Sequence, residues 1–396
     1  MQQTTPKERL WNRNYVKVMI ANSSIFFAFY LLTPLLPIYL KDNFNASKDI
    51  IGIILSGYTV LALISRPLTG YFVDTYKRRT VLLTCFTLFF VFFGGYIMAS
   101  SLLLFAIVRT LHGAPFGALT VSNSTVAIDV LPSSRRNEGI GYYGLSNNLA
   151  MAIAPSIGIF IYHYTNNFQV LFWLALIVAG LGLAVDSTVE LKERPIVRDK
   201  SKLTLDRFLL TRGWLLAFNM IFHGFCFGVL SNYLAIYGKE VLHRTGGTGT
   251  YFMLLSVGLV LSRLQGAKGL REGRLTRNAG EGSIISFLGY LVFIAFPSDW
   301  SYYLSAVLIG LGNGHLWPAF QNMIINMARH DQRGTANSTI LVSWDVGIGI
   351  GVLAGGVVCE HLGYTSAFWT VAGANAIAVL MFFIATRSFF ERRRLE

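Results

Sequence analysis

Residues 341 to 356 read LVSWDVGIGIGVLAGG, which sets Asp345 beside Trp344 in a run otherwise made of aliphatic residues and glycines. A carboxyl group in such surroundings can take up and release a proton, or hold the cationic group of a small molecule. A second run, RTLHGAPFGA, carries Arg109 and His112. With Gly113, Phe116 and Thr120 they fall at spacings of three and four, so one helical face would hold a fixed cation and a proton-exchanging imidazole. Amides and aromatic rings recur at similar spacing: Asn22, Phe26 and Tyr30; Asn219 and His223; Asn313, Trp317 and Gln321. That set suits hydrogen bonding and stacking with a polar or zwitterionic solute.

The elements that must position these residues follow from composition. The 396 residues are 53% hydrophobic, 14% aromatic and only 13% charged, against about 25% charged in soluble domains. Twelve apolar runs recur along the chain, at 15–40, 50–73, 80–100, 102–130, 138–162, 168–187, 213–237, 248–266, 279–297, 301–328, 335–359 and 364–386. Each approaches the roughly 20 residues that cross a bilayer as a helix. The runs are continuous rather than alternating, which favours helices over barrel strands. The first is too long for a signal-peptide core and reads as an uncleaved helix. On this reading Asp345 lies near the membrane midplane, where insertion costs an aspartate about 2.5–3.5 kcal/mol.

Charge placement orients the chain. Of the 33 Lys and Arg residues, 27 fall in the termini and alternate breaks that share a side with them, and only Lys41, Lys48, Lys239 and Arg244 fall in the opposite loops. Arg66 and Arg109 remain inside spans. This asymmetry predicts a multi-pass membrane protein with both termini cytoplasmic, and the compact loops fit a bacterial inner membrane. It also explains the formal charge of +13 without nucleic acid, since no basic stripe with interleaved aromatics stands apart from the topology. Cys85, Cys226 and Cys359 form no CxxC pair and read as small apolar residues.

The longest polar break, 188–212, divides the chain into a cytoplasmic start (1–14), a bundle (15–187), a linker, a second bundle (213–387) and a cytoplasmic tail (388–396). The halves echo one another. RRNEGIGYYG before the fifth span answers QRGTANST before the eleventh, and SRPLTG in the second answers SRLQG in the eighth. Duplicated halves point to a transporter with its solute site between repeats.

At this point the residues resemble a known family, the major facilitator superfamily, over nearly the whole chain. Its loop after the second helix carries a glycine, an aspartate four residues on and a basic cluster, here Gly70, Asp74, Lys77, Arg78 and Arg79. The resemblance implies a conformational latch in which Asp74 faces the N-terminal end of the eleventh helix. Thr75 and Lys77 depart from the usual pattern, which leaves Arg78 or Lys77 to carry the charged contact and Asp129 to serve as another partner. The matching segment of the second half, GAKGLREGRLTR, is degenerate. The fifth span is similar to the gating motif of the drug and proton antiporter branch, with Gly141, Ala150, Ala154, Pro155 and Gly158, although alanine and isoleucine replace some glycines. Small residues there permit close packing and Pro155 bends the helix. In this family the first, fourth, seventh and tenth helices line the cavity, which is where Asn22, Tyr30, Arg109, His112, Asn219, His223, Asn313, Trp317 and Gln321 fall.

The fold expected is therefore all-α and polytopic, twelve transmembrane helices in two pseudo-symmetric six-helix bundles. The function expected is proton-coupled efflux of a drug, sugar or metabolite by alternating access, with Asp345 as the coupling or solute-binding carboxylate. A proton-driven nutrient importer is the nearest alternative; a receptor or scramblase on the same scaffold is another. A polytopic membrane enzyme would need an acid or histidine cluster at an interface loop, and the sequence offers none. Partners are the solute, protons and the bilayer, with the chain acting as a monomer and needing neither cofactor nor metal. GLGNG and GIGIG follow no strand, so they read as helix-packing glycines rather than dinucleotide loops, and no phosphate-cradling loop with its lysine marks an ATP-driven pump.

Overall fold

The computed structural model describes residues 9–46, 48–191, 205–244 and 247–395, and all regular structure in them is helical. Seven helices precede the linker: α1 (Arg13–Leu32), α2 (Leu36–Phe44), α3 (Lys48–Thr75), α4 (Arg78–Met98), α5 (Leu102–Val130), α6 (Arg136–Thr165) and α7 (Phe168–Ser187). Six follow it: α8 (Trp214–Glu240), α9 (Thr248–Arg271), α10 (Leu275–Ala295), α11 (Asp299–Asn326), α12 (Arg333–Met381) and α13 (Arg387–Arg393).

Local chemistry sets the ends. The Asn12 side chain caps α1 by accepting from the Tyr15 amide at 2.9 Å, and Ser101 caps α5 in the same way. Two boundaries differ from the sequence reading. The run 15–40 is two helices, because Pro34 supplies no amide and the chain resumes at Leu36 with Pro37 in the first turn, where that loss is harmless. The runs 335–359 and 364–386 are joined without a loop. Gly363, at φ 82° and ψ 165°, breaks α12 into stretches 333–362 and 364–381 in a conformation that a side chain would strain. A π-helical turn, Phe382–Thr386, then leads into α13, so helix continues into residues assigned to the tail. Residues 1–8, 192–204 and 396, which hold most of the expected N-terminal segment, the middle of the linker and the last tail residue, lie outside the described residues. The described part of the linker forms short 3-10 turns at Leu205–Arg207 and Thr211–Gly213.

Among the described residues, nine helical stretches are long and apolar enough to cross a membrane, the last of them running through the break at Gly363. Helices α9 and α11 are long enough but more polar, carrying buried Ser262 and Arg263, and Asn313, His315 and Gln321. Large apolar side chains such as Leu103, Leu264, Leu353 and Ile384 stay exposed, as lipid-facing residues do.

The chain groups into two units. The first comprises Met1–Ser65 and Thr75–Arg198; the second comprises Arg66–Asp74 and Asp199–Glu396. The last third of α3 thus groups with the second unit rather than with the bundle 15–187, and the contacts described below give the reason. In the first unit, Tyr39, Phe89, Phe93, Tyr96, Phe105 and Phe172 pack as a chain of edge and tilted ring contacts. In the second, Tyr237, Tyr251, Phe293, Tyr302 and Phe368 do the same. Ring quadrupoles and large buried area make such clusters stable and stiff.

Candidate functional site

Asp345 sits twelve residues into α12, about 18 Å along the axis from Arg333 at the helical rise. Its carboxylate is ion-paired with the guanidinium of Arg66 on α3. The two side chains are 17% and 9% exposed, and Arg66 Nη1 also donates to the Leu341 carbonyl at 3.3 Å. This pairing offsets the cost that the sequence assigned to a lone carboxylate, since each charge supplies the counter-charge that the other needs away from water. Arg66 is the residue that sequence reasoning placed in the membrane without giving it a part; the signal was SRPLTG, a second intramembrane charge opposite in sign to Asp345. Beside the pair, Trp344 meets Trp317 of α11 edge-on at 5.1 Å and Phe227 of α8 at 5.4 Å. Gly347 and Gly224 let α12 and α8 approach closely, since a Cβ on Gly224 would lie 3.1 Å from the Gly347 Cα. In GIGIG, then, Gly347 serves helix packing.

Asp74 ends the same α3 segment. Its two carboxyl oxygens accept from the backbone amides of Gly334 and Thr335 at 2.9 and 2.8 Å, and Oδ2 also accepts from the Thr335 hydroxyl at 3.1 Å. These are the first amides of α12, which have no partner inside the helix and carry the positive end of its dipole. Gly70 allows the approach, since a Cβ there would lie 2.8 Å from Ser338 Cβ and 3.1 Å from the Gly334 carbonyl. Asp74 therefore takes backbone amides in this arrangement. In the first unit Arg78 is ion-paired with Asp129, Arg79 donates to the Ser187 carbonyl at 2.8 Å, and Lys77 is exposed at the start of α4.

Arg109 and His112 are 4% and 1% exposed and face the interior of the first unit. The Tyr96 hydroxyl joins them, 2.8 Å from His112 Nδ1 and accepting from Arg109 Nη1 at 3.2 Å. The guanidinium lies 3.9 Å from the centre of the Tyr58 ring, and Phe89, Phe92 and Phe93 surround the imidazole. A buried cation is thus held by a phenol and by ring faces, with no carboxylate paired to it among the described residues.

Several amides expected on a solute-lining face are occupied by neighbouring helices. Asn22, 1% exposed, donates to Ser146 Oγ at 2.8 Å and accepts from the Tyr143 hydroxyl at 2.7 Å, while Asn123 donates to Tyr143 at 3.1 Å. Asn219 donates to the Ala378 carbonyl at 3.0 Å, Gln321 to Asn337 Oδ1 at 2.8 Å, and Asn313 accepts from Ser286 at 3.3 Å. Their contacts make them interhelical bonds, because an amide away from water takes whatever partner packing brings. Tyr30 stacks with Phe26 and meets Phe29. His223 is buried near Phe320, with neither ring nitrogen hydrogen-bonded among the described residues. On α6, Gly141, Ala150, Ala154 and Gly158 are buried, and Gly158 sits against the backbone carbonyl of Leu31, where a side chain could not fit. Pro155 lies inside that helix.

A family model described as the Major Facilitator Superfamily matches residues 18–280 and 279–395. The uncharacterized MFS-type transporter YhhS of Escherichia coli strain K12 is 24% identical over 381 residues, covering 93% of this chain and 92% of that one. Its Salmonella typhimurium counterpart matches at the same identity and coverage. Among solved structures, the human organic anion transporter MFSD10 (TETRAN) superposes with a TM-score of 0.81 at 17% identity, over 93% of this chain and 99% of that chain. FucP, in the outward conformation, gives 0.74 at 14% identity, over 97% and 100%. The helical fold with its internal breaks, matched by a family model along nearly all its length, makes this chain a member of the major facilitator superfamily, a multi-pass secondary transporter and not an enzyme.

Proposed function

We propose that this transporter exports a small organic solute in exchange for protons, with Asp345 as the coupling carboxylate. The observation that carries the reading is the Arg66–Asp345 pair, two opposite charges held inside spanning helices. Protonating Asp345 cancels its charge and leaves Arg66 seeking another partner, so one proton changes how α3 and α12 hold each other. Solute arriving at the neighbouring Trp317 and Trp344 rings would feel the same change, which is the differential interaction that coupling requires. Asp74 on the α12 N-terminus and Arg78 on Asp129 act as the latch released in each cycle, and the small residues of α6 with Pro155 give the bending surface. The export direction follows the likeness of that segment to the antiporter branch. Both termini are assigned to the cytoplasmic side of a bacterial inner membrane from the charge asymmetry.

The test is flux of a solute panel into inverted vesicles with and without a pH gradient. Gradient-driven uptake is expected in the parent protein, and Asp345→Asn is expected to lose it while keeping solute exchange. Full gradient-driven activity in Asp345→Asn would remove the coupling role, and thiol labelling that puts the two termini on opposite sides would remove the topology.

A further inference from the structure

Asp186, the next-to-last residue of α7, is 2% exposed, and neither carboxyl oxygen has a hydrogen-bond partner among the described residues. Among the described residues no other buried acid matches it: Asp345 and Asp129 meet arginines, Asp74 meets the amides of α12, and buried Glu138 meets Arg135 at 2.8 and 3.0 Å. Its isolation is specific, because cations are close. Helices α1, α4 and α6 pack on α7. From α1, Lys17 donates to the Thr188 carbonyl at 2.6 Å, Asn14 bonds the Glu190 backbone, and the Tyr15 hydroxyl donates to the Gly139 carbonyl at 2.6 Å. From α4, Arg79 donates to the Ser187 carbonyl and Arg78 is engaged by Asp129. From α6, Tyr143 lies in electrostatic range of Asp186 but gives its proton to Asn22, and Glu138 is held by Arg135. Two basic side chains thus reach the carbonyls one and two residues further on and leave the carboxyl alone.

An ionised carboxylate could not persist there, since an unpaired buried charge costs several kcal/mol while a neutral acid costs far less. We propose that Asp186 is a second proton site, holding one proton as the neutral acid inside the first unit. Ser187 is only partly buried and Thr188 is exposed, so water can reach the site through one residue of fraying at the end of α7. On such opening the O–H bond breaks, water takes the proton, the carboxylate remains, and Lys17 and Arg79 stand ready to receive it. The role of this step in transport rests on the proton-coupled reading above; the resting protonation does not.

The experiment is infrared difference spectroscopy of the purified full-length protein at neutral pH, reading the carbonyl stretch of protonated carboxyl groups. One such band is expected in the parent and in Asp345→Asn, and is lost in Asp186→Asn. An identical band in Asp186→Asn overturns the proposal. Thermal melting gives an independent readout should spectra be crowded. A group that keeps its proton on folding but loses it on unfolding destabilises the fold as pH rises, so Asp186→Asn should match the parent in acid and out-melt it in alkali. Parallel melting curves at all pH values would also overturn it. A flux insensitive to the pH gradient, with the Asp186 band present, would instead defeat the coupling reading and leave this site standing.

Discussion

Arg66 and Asp345 can be taken apart one at a time. In Asp345→Leu, Arg66 keeps only its 3.3 Å contact to the Leu341 carbonyl and remains 9% exposed, with Nε already unbonded. Removing one partner of a buried pair costs about 3–5 kcal/mol. Arg66→Met leaves Asp345 more open, at 17%, and an acid can shed its charge by taking a proton, so that cost falls at about 2–4 kcal/mol. The double variant replaces both charges with apolar groups of similar size and should lie within about 2 kcal/mol of the parent. Even with the smallest single costs and the largest double cost, the coupling energy is then at least about 3 kcal/mol, more than roughly a hundredfold in the folded-to-unfolded ratio. Reversible unfolding of the four proteins in the same detergent measures it. If the single effects add to within about 0.5 kcal/mol of the double, the two groups do not depend on each other and the argument for a proton-sensitive pair is refuted.

Asp74→Ala removes acceptors for two amides and a hydroxyl at the start of α12, and should cost about 1–3 kcal/mol while speeding hydrogen exchange at Gly334 and Thr335. Tyr96→Phe unties Arg109 from His112 and should lower stability by about 1–2 kcal/mol in thermal melts, with a rise in the imidazole's proton exchange seen by NMR. Gly158→Val should reduce folded yield by forcing a side chain onto the Leu31 carbonyl, an overpacking cost of about 1–3 kcal/mol, whereas Gly349→Ala, which meets nothing within 4 Å, should melt with the parent.

Much of the fold was legible because lipid makes a simple demand: a spanning segment satisfies its own backbone, so length and hydropathy mark it. The breaks inside runs were less legible. Pro34 was visible as a residue, but that it would end α1 rather than bend it depended on how the chain packs. Gly363 lies in a short polar dip between apolar runs, and nothing local says that helix resumes at once on its far side. For the site, Asp345, Asp74 and Arg78 were marked by charge in a greasy or patterned context. Arg66 was seen and left idle, because a pairing across 279 residues leaves no mark in local spacing. Asp186 was not singled out, because it lies near a helix end, where water is normally assumed.

The sequence by itself determined the spans, their duplication and the asymmetry of charge, since each depends on the residues and a uniform apolar solvent. Only the tertiary structure decided which polar groups were already satisfied. Asn22 and Gln321 have the same type of side chain that a solute site would use, yet packing gave their atoms to Ser146, Tyr143 and Asn337, and gave the carboxyl of Asp186 no partner among the described residues. Hydrogen bonds and ion pairs are short-ranged and directional, so which groups find one another depends on where the helices meet, not on what they are.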